Sequence, residues 1–132
     1  MNEAQREGPF GCAQCWPLAA ETALEVSKSL TPGQDVIDDS HLGVMIRTCP
    51  SCGQHFVAVF LEHIDWQDGD DSQYWTLMPI TEAESVDLLA MNKVAAIARL
   101  NGLPSQRRCL QKDHPKGGPD TVSWGSGLWI VN

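Results

Sequence analysis

Leu42-Gly43-Val44-Met45-Ile46-Arg47-Thr48-Cys49-Pro50-Ser51-Cys52-Gly53-Gln54-His55-Phe56-Val57-Ala58-Val59-Phe60-Leu61 is the stretch on which the reading of this chain turns. Leu42, Val44 and Ile46 alternate with Gly43, Met45 and Arg47, a period of two that predicts a strand running into Cys49. Beyond Gly53, the segment from Phe56 to Ile64 is apolar on both faces until Glu62, as in a central strand covered on two sides. The two strands therefore flank Cys49-Pro50-Ser51-Cys52-Gly53 as a hairpin. Pro50 fixes one torsion of the turn, and Gly53 permits the left-handed conformation needed where the chain reverses.

Upstream, Cys12-Ala13-Gln14-Cys15-Trp16-Pro17 supplies a second Cys-x-x-Cys pair, separated from the first by 33 residues. Two such pairs suit the tetrahedral thiolate shell of structural zinc, because each wraps one edge of the tetrahedron from a tight turn. In these residues the chain resembles the zinc-ribbon class, whose two knuckles come from separate hairpins and clamp one ion beside a small antiparallel sheet. The resemblance covers about residues 10–64. It implies that Cys12, Cys15, Cys49 and Cys52 ligate one structural Zn2+. The first knuckle departs from the pattern in lacking a glycine after Cys15. Four thiolates leave no open coordination position, which argues against zinc-hydroxide chemistry. The competing reading is redox, since Cys-Pro-x-Cys also occurs in thioredoxin-like oxidoreductases at a helix N-terminus. Here the segment after Cys52 reads as strand, and redox chemistry leaves the second pair unexplained.

Outside the hairpin, Leu18 to Leu30 also shows a period of two and is read as a half-buried strand, with a helix opened by Pro17 as its rival. A turn at Thr31-Pro32-Gly33 and an acidic connector over 35–40 follow. Tyr74–Met78 suggests a short strand ending at Pro79. Thr81 with Glu84 forms a capping box for one main helix over about Thr81–Asn101, with Val86, Leu89, Ala90, Val94, Ile97 and Leu100 on its apolar side. Lys93 intrudes on that stripe and must snorkel or find a partner. Asn101-Gly102 supplies a left-handed stop, with Leu103 packing back and Pro104 barring continuation. Residues 122–131 read as a strand or hairpin closing the sheet, and Gly117-Gly118-Pro119 and Gly125-Ser126-Gly127 as turns. The expected fold is α+β: one domain over residues 1–132, with a mainly antiparallel sheet of four to six strands, the ribbon element over about 10–64, and helix and C-terminal strand over about 74–132.

The net charge of −8 hides two regions of opposite sign. Residues 1–92 hold three basic and 15 acidic residues, and residues 93–132 hold six basic and two acidic. An acidic whole disfavours nucleic acid, whose affinity comes mainly from phosphate neutralisation. Five cysteines behind a start without a charged-then-apolar leader point to a cytoplasmic protein without a disulfide framework. The longest apolar run, Phe56 to Leu61, is far short of the roughly 20 residues that span a bilayer.

Three further features invite a functional reading. The segment from Ile64 to Trp75 carries Asp65, Asp68, Asp70 and Asp71 among three large aromatics, a density of oxygen ligands that suits Ca2+ or Mg2+. It lacks the EF-hand order, so a solvated hairpin loop is the plainer reading. Cys109 and His114 offer a further ligand pair, against the plainer reading of a partly buried thiol in a basic loop. His55 and His63 read as structural histidines of the central strand. The function these features favour is a non-catalytic structural-zinc protein that works through protein–protein contact, using the acidic loop and exposed tryptophans. The alternatives are a nucleic-acid-binding ribbon using Arg99, Arg107, Arg108, Lys112 and Lys116, and a metal-dependent enzyme centred on the acidic loop 65–71.

Overall fold

The computed structural model describes residues 10–63, 72–115 and 117–130. Its frame is a six-stranded antiparallel sheet in sequential order: β1 (Thr31–Asp38), β2 (Leu42–Thr48), β3 (His55–His63), β4 (Ser72–Ile80), β5 (Arg108–His114) and β6 (Thr121–Ser126). Three helices join it, α1 (Ala20–Ser27) before β1, then α2 (Glu82–Leu89) and α3 (Lys93–Asn101) between β4 and β5. The fold is thus α+β. The expected hairpin is present, with β2 and β3 in unbroken register from Leu42↔Leu61 to Thr48↔His55.

The strong alternation of β2 and the two-sided apolarity of β3 produce two cores, one on each face of the sheet. On the first face Val44, Ile46, Val57, Val59 and Met78 pack against Leu88, Ala96 and Leu100 of α2 and α3. Leu103 is buried with them, as its place after the helix stop predicts, and so are Leu128 and Ile130 of the tail. Asn101 ties that tail down, donating Nδ2–H to the Ile130 carbonyl at 3.0 Å and accepting its N–H at 2.7 Å. On the second face Phe56, Ala58, Leu77 and Leu110 pack against Trp16, Ala20 and Ala23, so α1 and the segment before it cover this side.

Several sequence expectations give way here. Within Leu18–Leu30 the segment Ala20–Ser27 is helix, because Ala20, Ala23 and Ser27 are its buried residues and their spacing of three and four is helical. The local alternation was a by-product of Ala, Leu and Glu, all good helix formers. The turn and acidic connector over 31–40 are instead strand β1, a bulged, mostly exposed edge. An edge tolerates Pro32, and bulges and charges protect it from unwanted pairing. Strand β4 runs through Pro79 to Ile80, not stopping at the proline. Its pairing with β5 ends at Leu77, so at Pro79 one edge of β4 is open and a missing N–H there interrupts no ladder.

The single helix of Thr81–Asn101 is two helices. The capping box forms as expected, with Glu84 N–H donating to Thr81 Oγ1 at 3.1 Å and Thr81 N–H to Glu84 Oε1 at 2.9 Å. The break comes from Asn92, whose side chain accepts from Ala95 N–H at 2.9 Å and caps a new helix. Resetting the helix rotates the buried face: Ser85, Leu88, Ala96 and Leu100 point inward, whereas Val86 and Val94 are 61% and 78% exposed. Lys93 finds its partner in Asp39, an ion pair across to the β1 end. Gly102 sits at φ −95°, so the stop is not left-handed. The basic loop around Cys109 is strand β5, and Gly125 and Ser126 belong to β6, with a left-handed residue only at Gly127. Among the described residues no helix is long and apolar enough to cross a membrane.

Candidate metal centre

Cys12, Cys15, Cys49 and Cys52 come together, their four sulfur atoms all within 4.8 Å of one another. Cys12 Sγ lies 3.7 Å from Cys15 Sγ and 3.9 Å from Cys49 Sγ, and Cys15 Sγ lies 3.8 Å from Cys52 Sγ. Four sulfurs at about 2.3 Å from a central zinc stand about 3.8 Å apart, the edge of that tetrahedron. All five cysteines are free thiols, and a disulfide needs sulfurs about 2.05 Å apart. The group is thus a four-thiol cage of the right size for one soft, tetrahedral cation.

Each half of the cage follows from its local sequence. The second knuckle closes the β2–β3 hairpin: Cys49 N–H donates to the Gln54 carbonyl and Gly53 N–H to the Cys49 carbonyl, both at 2.9 Å. Gly53 takes φ +82°, the left-handed conformation expected of it. Cys49 Sγ accepts from Ser51 N–H at 3.3 Å and from Cys52 N–H at 3.5 Å, contacts that stabilise thiolate charge. The first knuckle is built differently. It sits in the irregular segment ahead of α1, not in a hairpin, closed by Trp16 N–H on the Cys12 carbonyl at 2.9 Å. Its glycine precedes the pair: Gly11 has φ +74°, and a Cβ there would stand 2.8 Å from Cys15 Sγ and 2.9 Å from Trp16 Cβ. The glycine missing after Cys15 is replaced by buried Trp16, which packs on Phe56 and, edge-on, on Trp124.

Two polar residues that the sequence did not mark hold the knuckles together. Gln54 accepts the Gly11 N–H at 2.8 Å and donates to the carbonyls of His55 and Ile80 at 2.9 and 2.8 Å, tying knuckle one to β3 and β4. Ser51 Oγ donates to Gln14 Oε1 at 2.6 Å, directly between the knuckles. Gln54 stood next to the second pair in the sequence, but nothing local reveals a partner 43 residues away.

Protonation differs round the cage. Hydrogen bonds from the backbone N–H groups of Cys15 and Gln14 hold the Cys12 thiol down to about 7. Burial pushes the thiols of Cys15 and Cys52 up. Cys15 and Cys49 are each 3% exposed, whereas Cys52 is exposed, so one corner of the cage faces solvent.

Among the described residues, Cys109, His114 and His55 do not join this centre. Cys109 is fully buried on the far side of β5, its Sγ–H donating to the Gly127 carbonyl at 3.2 Å. His114, five residues along the same strand, faces the opposite side and pairs through Nδ1 with Asp120 at 2.5 Å, so the two form no ligand pair. His55 Nδ1 meets Thr48 Oγ1 at 3.3 Å across the hairpin. Strand β3 ends at His63. Asp65, Asp68, Asp70, Asp71 and Lys116 lie outside the described residues.

The basic residues of the second half are largely engaged by the protein itself. Arg107 meets Glu84 at 2.8 Å and donates to the Pro79 carbonyl, Arg99 stands 3.7 Å from Asp87, and Lys112 stands 3.9 Å from Asp120. Arg108 lies over the Trp124 ring, 3.9 Å from its centroid. Of the tryptophans expected at the surface, Trp16 is buried and Trp75 and Trp124 are partly buried, while Trp129 is 68% exposed. Compared with protein-family models, with curated proteins and with solved structures, the chain matches none.

Proposed function

We propose that this chain is a structural-zinc protein of zinc-ribbon type, in which Cys12, Cys15, Cys49 and Cys52 hold one Zn2+ and the folded domain acts through contact with another protein. The observation that carries the metal reading is the set of sulfur separations of 3.7–3.9 Å, the edge length of a zinc tetrathiolate. All-thiolate donation selects a soft cation, and a filled tetrahedron leaves no position for substrate or water, so the ion's contribution is to folding. It would pin the segment ahead of α1 to the β2–β3 hairpin, two parts of the chain otherwise joined through Gln54, Ser51 and the packing of Trp16. In favour of a protein partner stand Trp129, Val86 and Val94, large apolar side chains left at the surface.

Metal analysis of protein purified without added zinc tests this. About one zinc per chain is expected, and none would overturn the reading. Cys49→Ser is expected to lose the zinc and much of the melting temperature, since a binding free energy on the order of 10 kcal/mol exists only in the folded state. Cys109→Ser is expected to keep the zinc while losing about 1–2 kcal/mol, the cost of altering a packed core thiol. Zinc loss on changing Cys109 would show that the ligand set is wrong.

A further inference from the structure

The face of the sheet that carries α1 is only partly covered. An eight-residue helix is about 12 Å long, less than the width of a six-stranded sheet with strands about 4.8 Å apart. α1 sits beside β5 and β6 and runs across the strands, from the Leu18 carbonyl at Trp124 to the Ser27 carbonyl at Arg47 of β2. Beyond its last turn a cavity of about 300 Å3 opens on the uncovered part of the face. Its floor is a row set by the strand register, Phe60 opposite Trp75 and Trp75 opposite Lys112.

The lining inverts the charge of the molecule. In a chain of net charge −8 this cavity is lined by Lys28, Arg47 and Lys112 against the single carboxylate of Asp120, which His114 engages and from which Lys112 stands 3.9 Å away; Lys28 lies 3.2 Å from Glu25, a residue outside the lining. Low-dielectric walls bearing one sign of charge concentrate its field. Arg47 is the decisive residue. Arg99, Arg107 and Arg108 each have an anion or a ring, but Arg47 has no carboxylate within ion-pair distance among the described residues. Its Nη1 makes one long contact, 3.5 Å to the Ser27 carbonyl, and its buried Nε has no hydrogen-bond partner. A buried guanidinium N–H left unmatched is costly, and the fork of an arginine is matched best by two oxygens of a carboxylate or phosphate.

We propose that this cavity binds a small organic oxyanion, a carboxylate or phosphate monoester on a flat apolar group. Arg47 holds the anionic end, Lys28 and Lys112 reinforce the field, and the flat group lies against Trp75 and Phe60. The volume admits a ligand of about a substituted benzene's size and lies at the small end of the range for ligand pockets. No cysteine lines the cavity, but Arg47 stands two residues before Cys49, so the zinc content of Arg47→Gln, measured alongside its binding, separates a failure of this site from a failure of the metal reading.

Calorimetric titration of the full chain with benzoate, phenyl phosphate and the neutral isostere benzyl alcohol tests it. One site per chain is expected for at least one of the two anions, with benzyl alcohol about tenfold weaker or worse and affinity falling as salt rises. A preference for benzoate or for phenyl phosphate assigns the oxyanion. Arg47→Gln is expected to weaken binding about ten- to a hundredfold, and Arg99→Gln on α3 to leave it unchanged. Lys112→Gln, on another strand, guards against a folding defect in the first variant and is expected to weaken binding a few-fold. Equal affinity for benzyl alcohol, unchanged binding in folded Arg47→Gln, or no saturable binding of either anion at millimolar concentration would overturn the proposal.

Discussion

At the scale of single residues, the two left-handed glycines beside the cysteines look alike in torsion and differ in surroundings. Gly53 at φ +82° has nothing within 4 Å of the position a Cβ would take, so Gly53→Ala meets only the backbone penalty of about 1–2 kcal/mol. Gly11 at φ +74° would add a clash with Cys15 Sγ itself. Gly11→Ala is therefore expected to weaken metal binding by at least about tenfold more than Gly53→Ala does, measured by competition with a chromogenic chelator. Equal affinities in the two variants would mean that the first knuckle yields without moving its sulfur. The sequence drew attention to Gly53, inside the familiar Cys-x-x-Cys-Gly pattern, and passed over Gly11. The difference lies in what surrounds each glycine in space, which spacing along the chain does not encode.

At the scale of elements, the N-terminus of α2 carries an electrostatic role beyond its capping box. Burial by itself would raise the Glu84 carboxyl, but hydrogen bonds from Arg107 and the Thr81 backbone N–H outweigh it and hold the group below its ordinary 4.5. A carboxyl lowered by folding adds stability that is fully present above its unfolded value and is lost as pH falls through its folded value. Acid unfolding should thus draw on Glu84 at pH values below about 4.5. Glu84→Gln is expected to cost about 3 kcal/mol at neutral pH, because Arg107 remains buried with its carboxylate gone, and to flatten the acid limb of a pH–stability curve measured by urea melts. An unchanged acid limb would place that pH dependence elsewhere. The sequence made the cap legible, since Thr81 and Glu84 stand three apart, but not the second use of Glu84 by an arginine 23 residues later. In α1, likewise, a short stretch of Ala, Leu and Glu fits two periods, and only the core it meets chooses between them.

For the molecule as a whole, the uneven charge of the sequence does not become an open basic face among the described residues. The fold turns the basic stretch over 93–132 back onto acidic partners and tryptophan rings, with Arg99, Arg107 and Arg108 engaged and Lys112 3.9 Å from Asp120. Duplex DNA or single-stranded RNA is therefore expected to bind no tighter than the roughly 10⁻⁴ M end of non-specific affinity at physiological salt. A fluorescence anisotropy titration showing sub-micromolar, salt-sensitive binding that disappears in the Arg107→Ala, Arg108→Ala double variant would reverse that ranking.

What the sequence determined by itself was everything carried by near neighbours. The β2–β3 hairpin, the turn at Cys49–Gly53, the cap at Thr81 and the α+β class all rest on periodicity or on residues two to five apart, where local sterics and hydrogen bonding settle the outcome. Which four of five cysteines share a cage was also legible, since the paired spacing leaves Cys109 over. Tertiary structure decided the rest. It made helix of 20–27, cut the long helix at Asn92, gave Gln54 its partners, and left Arg47 lining a cavity beside the last turn of α1. Each of these depends on apolar area and polar groups that meet across the sheet from distant parts of the chain, and the free energy of those meetings exceeds the small local preferences that a sequence shows.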